Sequence, residues 1–167
     1  MKAYGLGIAD AALQVFIANR PPLPEYEQLQ SLSPMQPGDI ARIAAETGNH
    51  WRKIFNVYAK LVTAIKQQQG LLPDTMRWQD YRDQQLLQAG SDESLLFSPP
   101  DLTHKENCQR LLLGKGYATT LKMDDSLVWY DDSFAVHQPS GVVVCPYFDY
   151  RQLSDAKIQR LVEILAG

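Results

Sequence analysis

The chain has 167 residues, 45% of them hydrophobic and 21% charged. That is enough apolar material for one domain with a full core, and it excludes a disordered chain. A formal net charge of −3 gives the molecule as a whole no attraction for nucleic acid.

No apolar run approaches the roughly 18 residues that a membrane helix needs. Residues 1–5 lack the apolar core of a signal peptide. A single cytoplasmic domain over residues 1–167, with no membrane partner, is therefore expected. The two cysteines, Cys108 and Cys145, are too few and too far apart for a disulfide framework or a zinc site, and both are expected reduced.

Leu13 to Asn19 is the first strand candidate, ended by Arg20-Pro21-Pro22-Leu23-Pro24 because proline cannot donate to a ladder. After a polar stretch, Asp39 suits the N-cap of a short helix ending near Thr47-Gly48. The strongest helix follows, from Asn49 to Gly70. Its Trp51, Ile54, Phe55, Tyr58, Leu61, Val62 and Ile65 recur at three- and four-residue spacing. A more polar helix is expected over 74–89, capped by Asp74.

Leu95-Leu96-Phe97-Ser98 reads as a second buried strand before Pro99-Pro100. Residues 104–113 admit two readings. Thr103 with Glu106 fits a capping box and a helix; Arg110 to Leu113 also fits a third buried strand, with Gly114-Lys115-Gly116 as its turn and a helix from Tyr117. The strand reading is preferred because it repeats the layout of the other strands. Residues 127–130 and 134–136, split by Asp131-Asp132-Ser133, suggest a hairpin or an ordered excursion. The β-branched run 141–145 is the fourth strand, and Ser154 caps a closing helix. Four buried strands separated by helices predict a three-layer α/β/α domain with a mainly parallel, about four-stranded sheet.

Several constellations invite chemistry. Gly114-Lys115-Gly116 is not a P-loop, since Gln109 and Gly116 stand where a glycine and a hydroxyl residue are needed. A tight turn suffices. Cys145 sits at a strand end, where nucleophiles often sit, but a thiolate needs a base or cation beside it. His50, His104 and His137 have no metal-ligand spacing, and no pattern calls for a cofactor. Asp124-Asp125 and Asp131-Asp132 suit turns better than an acid/base couple.

The loop after the fourth strand differs in kind. Tyr147, Phe148 and Tyr150 alternate with Asp149 and Arg151. It reads either as an aromatic lid with an Asp–Arg pair or as a stacking platform with an anion contact. In open α/β sheets, ligands sit outside the carboxyl ends of the strands, where this loop falls.

Taken in order, these segments resemble the uracil-DNA glycosylase superfamily. Val15 to Pro21 is similar to the first strand and its Gly-x-Asn-Pro type loop, and Lys53 to Leu61 to the following Asn-Ile-Tyr/Phe-Lys-x-Leu helix. Leu95 to Ser98 is similar to the strand that carries the base-reading Asn, and Leu113 to Ala118 to a strand-Gly-x-x-Ala-helix unit. Val144 to Ser154 is similar to the His-Pro-Ser-Pro-Leu-Ser loop.

The chain departs from that pattern at the reactive places. Arg20 stands where the water-activating acid would be, Ser98 at the Asn, Cys145 at the His, and the last loop is four residues longer. The resemblance implies a pocket for a nucleobase, nucleotide or single-stranded nucleic acid, with or without turnover. Asn19, Arg20, Ser98, Tyr147, Phe148, Asp149 and Arg151 would bind the ligand. Two other readings stand beside it: an interaction module using Trp129, Tyr130 and Phe134 as an anchor patch, and a small-molecule hydrolase using Cys145.

Overall fold

A computed structural model describes residues 2–167. Its centre is a single eight-stranded sheet in the order β3-β1-β4-β2-β5-β8-β7-β6. The strands are β1 (Gly5–Gly7), β2 (Leu13–Phe16), β3 (Leu32–Ser33), β4 (Glu93–Leu96), β5 (Gln109–Leu113), β6 (Leu127–Trp129), β7 (Ala135–His137) and β8 (Val143–Cys145). The helices are α1 (Pro24–Glu27), α2 (Asp39–Thr47), α3 (Asn49–Gln68), α4 (Trp78–Gln84), α5 (Lys115–Thr120) and α6 (Asp155–Ala166).

The four expected strands form the centre of the sheet, β4-β2-β5-β8, and all pair in parallel. The expected count of about four is corrected to eight. β1 joins β4 antiparallel, β3 joins β1 in parallel, and the β6–β7 hairpin extends β8 antiparallel. The sheet is largely, not wholly, parallel. Residues 109–113 are the strand of the two readings.

Alternation along the strands divides the interior. Leu13, Val15, Leu95, Leu111, Leu113, Val143 and Cys145 enter one core with α3 and α6. Phe16, Leu96, Leu112 and Val144 face a smaller cluster with Ala118 of α5. The two layers over the sheet are therefore unequal. The large one is built by α3, whose Trp51, Ile54, Phe55, Tyr58 and Leu61 are all buried, as the spacing predicts.

Three boundaries differ from expectation. Gly38, not Asp39, holds the N-cap position of α2, and Gly48 holds that of α3. The helix expected over 74–89 shrinks to α4, and Asp74 lies outside it. Gln67 Nε2 donates to the Pro73 and Met76 carbonyls at 3.0 and 3.1 Å, which holds residues 73–76 as a turn. At the other end Leu87 adopts φ 61°, where a helix cannot continue. Ser154 caps α6 as expected, accepting from Lys157 N–H at 3.4 Å.

Candidate functional site

The connections of β2 and β5 leave in opposite directions. From β2 the chain goes to β4 on one side, and from β5 to β8 on the other. That places a topological switch point at the carboxyl ends of β2 and β5, where open α/β sheets bind ligands. Asn19 follows β2, Gly114 and Lys115 follow β5, and Pro146 and Tyr147 follow β8.

Tyr147 closes over this place. Its hydroxyl donates to Asn19 Oδ1 at 2.7 Å, so the bond spans the end of β5, which lies between the two strands that carry the residues. His50, in the first turn of α3, stacks on the Tyr147 ring at 5.7 Å and 24°. Its Nε2 lies 3.1 Å from the phenol oxygen. Because the phenol proton is committed to Asn19, Nε2 must be the donor, which sets the tautomer. Burial raises the pKa of Tyr147, with the bond to Asn19 acting in the opposite sense, so the phenol stays protonated at neutral pH.

Beside this chain of contacts, at the ends of β5 and β8, is a cleft of about 310 Å³ whose lining includes Lys115, Trp129, Pro146, Tyr147, Gln152 and Lys157. Lys115 Nζ lies 5.5 Å from the Trp129 ring centroid. Cys145 also borders the cleft, but it is 1% exposed and burial pushes its thiol far above the usual range. It is a neutral thiol, without the thiolate that a nucleophilic role requires.

The structure brings Asn19 and Tyr147 together and sends the other expected ligand residues elsewhere. Arg20 donates from Nη1 to the Tyr26, Glu27 and Leu29 carbonyls at 3.0, 2.7 and 3.2 Å, and its guanidinium lies 4.6 Å from the Tyr4 ring centroid. It ties the segment around α1 to the sheet. Ser98 is buried, and its hydroxyl accepts from Tyr4 N–H at 3.1 Å. It borders a separate cavity of about 210 Å³ with Gln14, Phe16 and Arg110. Phe148 is fully buried, 5.5 Å from the Tyr58 ring. Arg151 clamps Asp149 through Nε and Nη2, at 3.2 and 3.0 Å, and lies outside the cleft lining. The loop is thus partly the aromatic lid with an Asp–Arg pair and partly, through Tyr147, a wall of the cleft.

Lys115, Trp129, Gln152, Lys157 and His50 were not singled out from the sequence as ligand contacts. Lys115 carried a signal in its place in the glycine turn, and Trp129 carried one as part of the expected aromatic anchor patch, whose Phe134 is buried at 1%. A larger groove, about 390 Å³, lies between α3, α6 and the 74–79 segment. Its Lys60 is already paired with Asp155 at 3.2 Å. Among the described residues no cluster of His, Cys, Asp or Glu could hold a metal ion.

Among the described residues no helix is long and apolar enough to cross a membrane. No curated protein and no solved structure matches the chain. Residues 4–166 match a family of unknown function, DUF6942, and since that match spans nearly the whole chain, the chain belongs to this family.

Proposed function

We propose that the chain is a nucleobase- or nucleotide-binding domain, glycosylase-like in layout, that binds its ligand without turning it over. The observation that carries this reading is the cleft at the ends of β5 and β8, with Trp129 and Tyr147 in its wall and Lys115 and Lys157 beside them. Aromatic faces stack on any base and contribute roughly 1–3 kcal/mol per base. Lysines supply the anion contact, in place of Arg151, which is engaged with Asp149. Asn19, once Tyr147 releases it, offers both an acceptor and two donors to a base edge.

Binding in place of catalysis is supported by the groups present. Arg20, which the resemblance sets where an acid would stand, is spent on backbone carbonyls. Cys145 is buried and neutral.

Calorimetric titration of the whole protein with nucleobases, nucleotides and short single-stranded DNA at low salt tests the reading. Heat is expected with a nucleotide, kept in Tyr147→Phe and lost in Tyr147→Ala. No heat from any of these ligands overturns it.

A further inference from the structure

Two rows of side chains cross the three central strands on the sheet face away from α3. Ser94 of β4, Gln14 of β2 and Arg110 of β5 are register partners, and so are Leu96, Phe16 and Leu112 two residues further on. Alternation puts both rows on one face, where Gln14, Phe16, Leu96, Ser98 and Arg110 line the cavity of about 210 Å³.

Arg110 is the permanent charge in these rows, and it is 3% exposed. Its Nη1 donates to the Asp101 carbonyl at 2.6 Å, and its Nη2 to the His104 and Ser140 carbonyls at 3.1 and 2.8 Å. All three acceptors are neutral, and they use three of its five N–H donors. Among the described residues Arg110 forms no salt bridge. A buried cation without a counter-charge is costly. Its Nε bonds to none of the described residues, yet among them Thr63 Oγ1 alone is a fully sealed side-chain polar atom without a partner. Solvent therefore reaches Nε, and the space that Arg110 borders is this cavity.

The lining selects what could supply the missing charge. Asp101 and Glu106 also border the cavity, but their carboxylates face other groups. Asp101 Oδ1 accepts from the Thr103 N–H and hydroxyl at 2.9 and 2.6 Å, and Glu106 Oε1 lies 3.5 Å from His104 Nε2. The exposed Lys2 offsets only one of these two acids. A single negative charge neutralises Arg110, whereas a dianion such as phosphate brings a second charge toward the acids. Phe16, Leu96, Pro99 and Pro100 suit a hydrocarbon body. At roughly 30 Å³ for each water-sized group, the cavity holds about seven such groups.

We propose that this cavity binds a short aliphatic monocarboxylate, whose carboxylate meets Arg110 Nε and the Gln14 amide and whose chain lies along Phe16 and Leu96. It shares no lining residue with the cleft at the ends of β5 and β8, so it stands whether or not that cleft takes a nucleotide.

The probe is sodium butyrate, titrated into the whole protein at neutral pH while the Arg110 Nε–H and Gln14 side-chain amide signals are followed by NMR. Both should shift along one saturable curve. Butylamine, with the same chain and the opposite charge, should leave them in place, and inorganic phosphate should bind at least tenfold more weakly than butyrate. Replacing Arg110 would also release three carbonyls, so the informative variant is Gln14→Glu, which sets a carboxylate beside Arg110 in the register and leaves its bonds intact. It should keep the fold, read as an unlowered thermal midpoint, and weaken butyrate binding at least tenfold. Lys115→Gln with Lys157→Gln should leave butyrate binding unchanged. No saturable shift at Arg110 and Gln14, an equal response to butyrate and butylamine, phosphate binding as tight as that of butyrate, or full butyrate binding by Gln14→Glu overturns the proposal. Loss of butyrate binding in the double lysine variant also overturns it, since the carboxylate would then sit in the other cleft.

Discussion

Glu93 is 1% exposed, and its carboxylate is surrounded by donors. The Tyr81 hydroxyl lies 2.9 Å from each oxygen, and Leu87 N–H and Asp92 N–H donate at 3.2 and 3.3 Å. Lys66 Nζ stands 3.7 Å away. Burial nevertheless outweighs these partners and raises its pKa above the usual carboxylate value. An unfolded Glu ionises near pH 4.3, so between that value and the higher folded one the native chain holds the extra proton. The stability this contributes is full below the unfolded pKa and is lost as pH rises through the folded one. Asp149, held down to about 2 chiefly by Arg151, acts in the opposite sense: its contribution is lost as pH falls toward 2. Glu93→Gln keeps an acceptor for Tyr81 and removes the ionisation. Urea midpoints of both proteins from about pH 4 to 8 should give a difference, wild type minus variant, that falls with rising pH and then levels off. A flat difference would assign the pH dependence elsewhere. At this scale the sequence displays residue types but not their targets. Asn19 and Tyr147 meet across 128 positions, while the carbonyls of residues 26–29 claim Arg20 and the Tyr58 ring claims Phe148. Those assignments depend on packing between distant segments, which no local pattern records.

Elements were legible where burial is continuous or periodic. The four central strands are apolar runs bounded by turn residues, and α3 is a long amphipathic stripe. β1, β3 and α1 span only three, two and four residues, too few to show a period. β1 did leave one trace, Gly5-Leu6-Gly7. An added Cβ would lie 2.3 Å from the Leu95 carbonyl oxygen at Gly5 and 2.5 Å from that of Glu93 at Gly7. Both contacts are with backbone that cannot step aside, and Gly7 also has φ 110°. The two glycines allow β1 to lie against β4. Gly5→Ala should therefore cost about 1–3 kcal/mol, the usual scale of overpacking, read as a lowered urea midpoint. Amide exchange should quicken in β1 and β3 before it does in β5. Gly90→Ala, where nothing lies within 4 Å of the added carbon, should leave exchange in β1 unchanged. Equal effects from the two substitutions would remove close approach as the reason for glycine in β1.

Across the whole molecule, a net charge of −3 opposes an anionic ligand, so nucleotide binding must depend on local cations. Lys115 and Lys157 border the cleft, and among the described residues neither forms a salt bridge. Their charge acts at contact distance and outnumbers the one carboxylate of the lining, Asp132, whereas the remote carboxylates act through solvent and are screened beyond about 10 Å at 0.1 M salt. A hydrogen bond to a charged group contributes roughly 1.5–3 kcal/mol, about tenfold or more in affinity. The double variant Lys115→Gln with Lys157→Gln should thus weaken nucleotide binding by at least about tenfold. It should leave binding of the uncharged nucleoside, which depends on Trp129 and Tyr147, nearly unchanged. Calorimetry on both ligands separates the two contributions, because stacking has no net charge to lose while the phosphate does. Equal loss for nucleoside and nucleotide would mean that the substitutions had reshaped the cleft, and no loss for the nucleotide would mean that its phosphate lies elsewhere.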